Sequence, residues 1–317
     1  MRISVIIPTY NVENYIEETI NSVLKSKDVS DVELIVVDDG SSDNTIDVLV
    51  EKFSNNNVLK IYQVDNAGAG YARNFGVLQS SGDYVMFLDG DDLLDEGLLY
   101  QVKRHLLQTS IDVLVFSYYE FDDQTNDIIV RQKMTDKNGK YGEVVWNKVY
   151  KREYLLKMMP LFPENVKFED SAGIHLLMAY GDSGFIDTYG VRYRRKRANS
   201  ITTSEVYQDI DDKFAAVQFF VSRMCKLDIE NHVLSHDKRS VLNRKLAAQI
   251  VNIEKQITDN GSSADKNMLN SLIKLVSETR LIKKNIVESM DFKAIITGLI
   301  LYRYNRRYVR LTNESID

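Results

Sequence analysis

The chain has 317 residues, of which 44% are hydrophobic and 27% charged, proportions that are ordinary for a globular protein longer than a usual single domain. The net charge of -6 argues against bulk binding of nucleic acid, and a single cysteine, Cys225, excludes an intramolecular disulfide and fits a reducing cytoplasm. No segment contains the roughly 20 consecutive apolar residues that a membrane-spanning helix needs, so we expect one α/β domain with a smaller attached region.

Strand and helix patterns alternate along the first hundred residues. Short apolar runs predict four strands, at residues 3–7, 33–37, 59–64 and 84–88. Apolar residues at helical spacing predict three intervening helices, at residues 12–24, 46–53 and 71–79. Such alternation predicts a parallel sheet covered by helices, with ligands bound at the carboxyl ends of the strands. The first apolar run is too short for a signal peptide, so we expect a cytoplasmic protein.

The second part of the chain is less regular. Further elements are predicted as a helix at 98–107, a strand at 113–119, a polar loop or hairpin at 122–140, a helix at 170–179 and a strand at 191–197. From residue 205 onward glycine and proline nearly vanish and helical spacing dominates. We therefore expect a catalytic α/β domain over residues 1–204 and a helical region over residues 205–317.

Acidic side chains follow two of the predicted strands. Asp38 and Asp39 come directly after the second strand, and Asp89, Asp91 and Asp92 follow the fourth. Clustered carboxylates are costly unless a cation or several hydrogen-bond donors neutralise them. Hard oxygen ligands without nearby His or Cys suit Mg²⁺ or Mn²⁺, and Mg²⁺ is usually held by one or two carboxylates together with substrate phosphates. The sequence therefore predicts a metal-diphosphate site.

Short motifs recur in a fixed order along the first 200 residues. They are VIIPTYN at 5–11, VVDDGSSD at 36–43, NAGAGYARNFG at 66–76, LDGDD at 88–92, WNK at 146–148, and FPE at 162–164 followed by Glu169-Asp170. Each motif alone is weak, but their order, spacing and position at strand ends are specific. Through them the chain resembles the inverting glycosyltransferases of family 2, which implies the GT-A fold, a Rossmann-like, mostly parallel sheet flanked by helices.

The resemblance implies a site for the nucleoside of a UDP-sugar donor. Pro8, Thr9 and Tyr10 match the segment that borders the nucleoside, and Asp39 matches the family's uracil-binding aspartate, which can accept the N–H of the ring. The alternative for Thr9 is a simple turn residue. A turn or helix-capping role fits Asp38 better than Asp39.

The resemblance also implies a diphosphate site at the DxD motif. Asp89 matches the aspartate near the ribose, and Asp91 matches the ligand of Mn²⁺ or Mg²⁺. Arg73 matches the arginine of the family's ARN element near the donor, with a solvated surface arginine as the alternative. Asp92 is interpreted as the cap of a helix beginning near Leu93.

On the acceptor side, the resemblance identifies Asp170 as the catalytic base, because inversion requires a carboxylate that takes the proton of the acceptor hydroxyl. A helix N-cap is its alternative, and Glu169 orients or tunes it. Trp146 is expected to stack on a sugar ring, unless it is a core residue. Lys148 is expected to meet phosphate.

Two basic segments complete the sequence analysis. Arg195 and Arg197 match positions that could neutralise diphosphate, but the choice among residues 194–197 stays open. Residues 303–310 place arginines on one face of a predicted helix, which suits an anionic membrane surface. Packing against its own domain or within a homo-oligomer is the alternative for this helix.

These expectations define one function and two alternatives. The expected enzyme is a metal-dependent hexosyltransferase that moves a hexose or N-acetylhexosamine from a UDP-sugar to a glycan, glycoprotein or lipid-linked acceptor. It would serve cell-surface polysaccharide or glycoconjugate synthesis, in the cytoplasm or at the inner face of the membrane, with no nucleic-acid partner. The alternatives are a sugar-phosphate nucleotidyltransferase and a non-catalytic nucleotide-sugar-binding subunit.

Overall fold

A computed structural model describes residues 1–27, 31–135, 141–167, 169–195, 210–229 and 234–260. The chain divides into two compact units, residues 1–208 and 209–317. Arg197 and the basic segment at 303–310 lie outside the described residues.

The first unit contains nine strands among its described residues. They are β1 (Ile3–Thr9), β2 (Val32–Asp38), β3 (Leu59–Gln63), β4 (Tyr84–Phe87), β5 (Leu93–Leu94), β6 (Val113–Asp122), β7 (Ile128–Gln132), β8 (Lys148–Lys151) and β9 (Ser183–Arg195). Its described helices are α1 (Ile16–Leu24), α2 (Thr45–Phe53), α3 (Ala69–Gln79), α4 (Leu98–Leu106), α5 (Arg152–Lys157) and α6 (Glu169–Tyr180).

The strands form one sheet in the order β3-β2-β1-β4-β8-β6-β9-β5, with β7 paired to β6. The first part is parallel, since β1 pairs in parallel with β2 and β4, and β2 pairs in parallel with β3. Every residue of β1 and β2 is buried, as expected of central parallel strands covered on both faces. The alternating pattern of the first hundred residues therefore predicted this part of the fold correctly.

The second part of the sheet is mixed. Strand β8 is antiparallel to both β4 and β6, β5 is antiparallel to β9, and β6 with β7 forms an antiparallel hairpin. Only β6 and β9 are parallel here. The segment at 93–94 is a strand, not the start of a helix, because its backbone pairs with β9; the next helix begins at Leu98.

Helix α3 packs closely on β1, near the edge of the sheet where the acidic motifs lie. A Cβ on Gly76 would come within 2.4 Å of the Ile6 side chain, and a Cβ on Gly70 would come within 2.1 Å of the Pro163 carbonyl oxygen. Only glycine lets the helix approach both neighbours at these distances. The small residues of the 66–76 motif therefore bring α3 against β1 and against the segment that leads to α6.

The described part of the second unit consists of two helices, α7 (Ile210–Ile229) and α8 (His236–Asn260), which contact each other. Their buried apolar side chains recur at helical spacing, as Phe214, Val217, Val221 and Met224 in α7 and as Leu242, Leu246, Ile250 and Ile253 in α8. No helix in the described part of the chain is long and apolar enough to cross a membrane.

Candidate active site

The nucleoside end of the predicted site lies where β1 and β2 finish. Pro8 and Thr9 are buried, whereas Tyr10 is 49% exposed. The Thr9 hydroxyl donates to Asp38 Oδ1 at 3.2 Å, and Asp38 accepts the backbone N–H of Ser41 at 3.0 Å. Asp38 therefore closes the turn after β2, in agreement with its interpretation as a turn residue.

Asp39 joins the end of β2 to the loop before α3. Its two carboxylate oxygens accept the backbone N–H groups of Ala67 and Gly68, each at 2.8 Å. Burial raises the pKa of the Asp39 carboxyl, and these two hydrogen bonds oppose the rise. Each oxygen keeps acceptor capacity beyond its one backbone bond, so the carboxylate can accept a further N–H.

Arg73 is the centre of the site. Its guanidinium donates from Nη2 to Asp89 Oδ1 at 2.8 Å and from Nη1 to Asp170 Oδ1 at 3.1 Å, and it also binds Glu169 Oε1. The residue is buried, and its side chain lies over the Phe162 ring. The alternative of a solvated surface arginine is therefore wrong. One cation joins the DxD motif to the Glu-Asp motif, which are about 80 residues apart in the sequence.

Asn74, the residue after Arg73 in α3, anchors the helix to the 161–162 segment. Asn74 donates from Nδ2 to the Phe162 carbonyl at 2.9 Å and accepts the Leu161 N–H at 3.1 Å. The asparagine of the ARN element thus holds the 161–162 segment while the arginine reaches the carboxylates. The sequence pattern marked this asparagine as part of a motif, but its anchoring role became evident only from the contacts.

Asp170 has the properties of a proton acceptor. Burial, aided by the charges of Glu169 and Asp89, raises the pKa of its carboxyl to about 7, although Arg73 opposes the rise. Its side chain remains 22% exposed, and Oδ2 accepts the Val145 N–H at 3.4 Å. Because α6 begins at Glu169, Asp170 lies within the first turn rather than at the N-cap position.

The three aspartates after β4 differ in their burial and in their contacts. Asp89 binds Arg73, and Asp91 is part-exposed. Asp92 is fully buried, and its Oδ1 accepts the backbone N–H of Arg194 at 2.8 Å. Burial and the charges of Asp91 and Asp89 raise the pKa of Asp92 well above its ordinary range. The interpretation of Asp92 as a helix cap is wrong, because residues 93–94 form a strand.

The described residues contain no group of three or more acidic, His or Cys side chains that could hold a metal ion. Within this described part of the chain, a metal held by protein ligands alone therefore does not fit. A metal shared with a diphosphate does, because Mg²⁺ commonly takes one or two carboxylates and completes its shell with phosphate and water. Asp91 supplies a part-exposed hard oxygen donor at the strand end, with Asp89 two residues away.

Two acceptor-side expectations are corrected by burial. Trp146 is only 3% exposed and stacks on Tyr193, with ring centroids 5.2 Å apart, so it is a core residue and its face does not meet a sugar. Lys148 is fully buried, and its Nζ donates to the carbonyls of Gly142 at 3.1 Å and Val144 at 2.7 Å. Burial lowers the pKa of Lys148 well below its ordinary value. Its amino group supports the loop that faces Asp170 and does not reach phosphate.

Burial also distinguishes the two described arginines of the basic run, Arg194 and Arg195. Arg194 is buried among protein partners, whereas the side chain of Arg195 is 45% exposed, with Nε 3.3 Å from Glu120 Oε2. Of these two arginines, Arg195 is the one placed to meet a ligand from solvent.

The fold and the site together define an α/β protein whose candidate ligand site, at the carboxyl edge of the sheet, contains several acidic side chains. The family model described as glycosyl transferase family 2 matches residues 4–168, which is more than half of the chain. The chain therefore belongs to glycosyltransferase family 2 and is a glycosyltransferase, as the motifs predicted.

Known proteins agree with this family. The uncharacterized glycosyltransferase EpsJ of Bacillus subtilis is 25% identical over 260 residues, which cover 74% of this chain and 75% of EpsJ. The poly(ribitol-phosphate) beta-N-acetylglucosaminyltransferase TarS of Staphylococcus aureus is 38% identical over 118 residues, which cover 36% of this chain and 20% of TarS.

Solved structures confirm the GT-A fold. The structure of S. aureus TarS 1–349 with UDP-GlcNAc superposes with a TM-score of 0.72 at 23% identity, covering 98% of this chain and 92% of that one. A mannosyltransferase from Pyrobaculum calidifontis, solved with GDP-Man and Mn²⁺, gives a TM-score of 0.51 at 16% identity, covering 94% and 86%.

Proposed function

We propose that this chain is an inverting transferase that moves a hexose or N-acetylhexosamine from a UDP-sugar to an acceptor hydroxyl. The sequence relative TarS is named as a poly(ribitol-phosphate) beta-N-acetylglucosaminyltransferase, and residues 1–349 of TarS have been solved with UDP-GlcNAc. UDP-GlcNAc is therefore the first donor to test. Synthesis of a cell-surface polysaccharide or related glycoconjugate is the role that these relatives favour.

The observation that carries the proposal is the bridge made by Arg73 between Asp89 and the Glu169-Asp170 pair. In the proposed reaction the leaving group and the attacking hydroxyl must lie on opposite sides of one anomeric carbon. Arg73 holds a carboxylate on the proposed donor side, Asp89, close to the proposed proton acceptor, Asp170. One buried cation shared by both groups meets this need for fixed proximity. A carboxyl group whose pKa is raised to about 7 beside charged partners is typical of catalytic sites, which favours a transferase over a non-catalytic nucleotide-sugar-binding subunit.

The donor is proposed to bind along the carboxyl edge of β1, β2 and β4. Asp39 accepts the uracil N–H, with Pro8, Thr9 and Tyr10 beside the nucleoside, and Asp89 lies near the ribose. Arg195 is the proposed cationic contact to the diphosphate. Support comes from the position of these residues at one edge of the sheet, where open α/β folds bind ligands.

Asp91, with the diphosphate itself, would hold Mn²⁺ or Mg²⁺. When bound, such an ion acts as a Lewis acid that stabilises the negative charge developing on the departing UDP. The part-exposed carboxylate of Asp91 and the need for phosphate oxygens to complete the shell support this assignment.

The chain's own residues account for the proton transfer. Asp170 takes the proton of the acceptor hydroxyl, and that oxygen forms a bond to the anomeric carbon from the face opposite UDP. The bond between that carbon and the diphosphate oxygen breaks, and UDP leaves with the bonding electrons. Arg73 holds Asp170 in place through Oδ1, while Glu169, bound to the same guanidinium, raises the pKa of the base.

A donor screen tests the proposal. Purified full-length chain is incubated with UDP-GlcNAc, UDP-glucose, UDP-galactose and GDP-mannose, with Mn²⁺, Mg²⁺ or EDTA, and the released nucleotide is identified. Release of UDP that EDTA abolishes supports the proposal. A parallel incubation with UTP and a sugar phosphate tests the alternative, because release of pyrophosphate there would indicate a nucleotidyltransferase. Release of GDP alone in the donor screen would overturn the uridine assignment.

We also propose that the acceptor is a glycan or a lipid-linked saccharide, reached in the cytoplasm or at the inner face of the membrane. The relative named for transfer to poly(ribitol-phosphate) and the basic sequence at 303–310 support this proposal. Flotation of the full-length chain with vesicles of anionic and of neutral lipid tests it. Flotation with anionic vesicles only is expected, and none with either would leave a soluble acceptor as the remaining choice.

A further inference from the structure

One residue of β9, Arg194, makes two hydrogen bonds to the loop that carries the DxD motif. Arg194 donates from Nε to the backbone carbonyl of Asp91 at 2.7 Å. Its own backbone N–H donates to Asp92 Oδ1 at 2.8 Å. Two consecutive residues of the loop are thus bonded to a single residue more than a hundred positions later in the chain.

The same loop is held on its other side by α1. The Thr19 hydroxyl donates to the Gly90 carbonyl at 3.0 Å, and the Leu94 N–H donates to the Ser22 hydroxyl oxygen at 2.9 Å. Residues 90–94 therefore lie between a helix and a strand with several of their polar backbone groups bonded. Because these backbone groups are bonded, the backbone of the loop has little freedom to rotate and so to reorient the Asp91 side chain.

Arg194 is itself fixed on every side. Its Nη1 lies 2.6 Å from Asp123 Oδ1 and its Nη2 lies 2.7 Å from Glu18 Oε2. The guanidinium also lies over the rings of Tyr15 and Phe121, at 5.0 and 4.8 Å from their centroids. With 5% of the side chain exposed and each guanidinium nitrogen bonded to protein, this arginine cannot contact a diphosphate.

We propose that Arg194 is a positioning residue that fixes the backbone of Asp91, so that the Asp91 carboxylate faces the shared metal and diphosphate. The inference rests on the proposed function of Asp91. It assigns to Arg194 a role different from that expected of the basic run, because the residue acts on the metal ligand through the protein and never touches the donor.

Lysine cannot replace arginine in this position. An ammonium is a single point donor on a flexible stem, whereas the planar guanidinium directs several N–H groups in fixed directions. In an Arg194→Lys variant the backbone N–H bond to Asp92 can remain, but the bonds to the Asp91 carbonyl, Asp123 and Glu18 cannot all form at once.

The test separates metal-dependent from metal-independent binding of UDP. Calorimetry measures the affinity for UDP with EDTA and with MnCl₂, for wild type, Arg194→Lys and Asp91→Asn. Arg192→Met is the matched control, because Arg192 lies on the same strand and over the same Phe121 ring but bonds to Asn126. Thermal unfolding in EDTA establishes that each variant is folded.

We expect Arg194→Lys to bind UDP in EDTA within about twofold of wild type, and to lose about tenfold of the gain in affinity that Mn²⁺ gives, equivalent to about 1.4 kcal/mol. Arg192→Met keeps the full gain, and Asp91→Asn loses it. If Arg194→Lys is unstable, Thr19→Val removes the bond to the Gly90 carbonyl from the other side of the loop, and a smaller loss of the same kind is expected.

Two results would overturn the inference, and they differ in what else they overturn. If Arg194→Lys and Thr19→Val keep the full gain from Mn²⁺ while Asp91→Asn loses it, the metal site stands and the positioning role of Arg194 falls. If wild type shows no gain from Mn²⁺, the proposed metal role of Asp91 falls together with the inference.

Discussion

Replacing Asp170 by asparagine should stop transfer and, at the same time, stabilise the protein at alkaline pH. Asparagine has nearly the shape of a protonated aspartic acid and cannot ionise. It keeps an oxygen that can accept the bond from Arg73. The variant therefore resembles the protein with a permanently neutral group at this position.

The magnitude follows from the pKa of Asp170, which burial raises from an ordinary value of 3.8 to about 7. Each pKa unit corresponds to about 1.4 kcal/mol, so ionisation costs the folded state at most about 4 kcal/mol. Because the side chain is 22% exposed and water screens part of its charge, we expect about 1–3 kcal/mol. The folded state holds this proton between about pH 4 and pH 7 whereas the unfolded state has released it, so the wild type loses stability as the pH rises through this range.

Urea unfolding in EDTA from pH 4.5 to 8.5 measures the difference, with Asp187→Asn as the control because Asp187 is 74% exposed and pairs with Lys133. The variant should be more stable than wild type above pH 7, and the difference should shrink toward zero as the pH approaches 4. A variant less stable than wild type at pH 8, with an unchanged dependence on pH, would refute the reasoning. That result would mean that Arg73 stabilises an ionised Asp170 and holds its pKa at or below the ordinary value.

Further predictions concern the neighbours of Asp170. The rate of UDP release by wild type should rise with pH through about 7 as Asp170 ionises. Arg73→Met should move the midpoint of this pH profile upward by about one unit or more, because the lost cation favoured the carboxylate. The same midpoint in wild type and variant would contradict this. Trp146→Ala should destabilise the fold by about 3–5 kcal/mol in urea unfolding, because it empties a core position; a change confined to acceptor affinity would restore the sugar-stacking interpretation. Lys148→Met should lower the rate of transfer without weakening UDP binding by calorimetry, because the supported loop faces the base and not the donor; weaker UDP binding would return Lys148 to the diphosphate.

The strand ends and their motifs were predictable because each depends on local pattern. Apolar runs that end in Pro8, Asp38 or Leu88 define β1, β2 and β4, and the carboxyl ends of parallel strands meet at one edge. The positions of the nucleoside and DxD candidates at that edge follow from this geometry alone.

Burial and long-range pairing could not be predicted in the same way. Trp146 and Lys148 were expected near a ligand because their side chains can bind sugars or phosphates, and the choice among the arginines of residues 194–197 was left open. The structure gives Trp146 and Arg194 partners from distant segments, Tyr193 and Glu18 respectively. Lys148 is instead buried against the carbonyls of Gly142 and Val144, which lie close to it in the sequence. No spacing rule indicates which strand lies opposite, so a buried lysine or arginine cannot be distinguished from an exposed one by sequence pattern.

The ion pairs that Arg73 makes with distant carboxylates also could not be predicted from the sequence. The sequence identified Arg73, Asp89 and Asp170 as separate members of three motifs. Only the packing of α3 against β1 and the 161–163 segment brings them together, through Gly70, Asn74 and Gly76. The motifs supplied the candidate residues, and the packing showed that one cation contacts Asp89, Glu169 and Asp170 together.

The most direct test of the central claim is the rate of UDP release from UDP-GlcNAc in Mn²⁺ and acceptor, or from whichever UDP-sugar the donor screen selects, by wild type, Asp170→Asn and Asp187→Asn. We predict that Asp170→Asn loses at least about a hundredfold in rate, as expected when a general base is removed, while its affinity for UDP stays within about twofold and Asp187→Asn behaves as wild type. Turnover by Asp170→Asn at the wild-type rate would contradict the account, because another group would then have to take the proton of the acceptor.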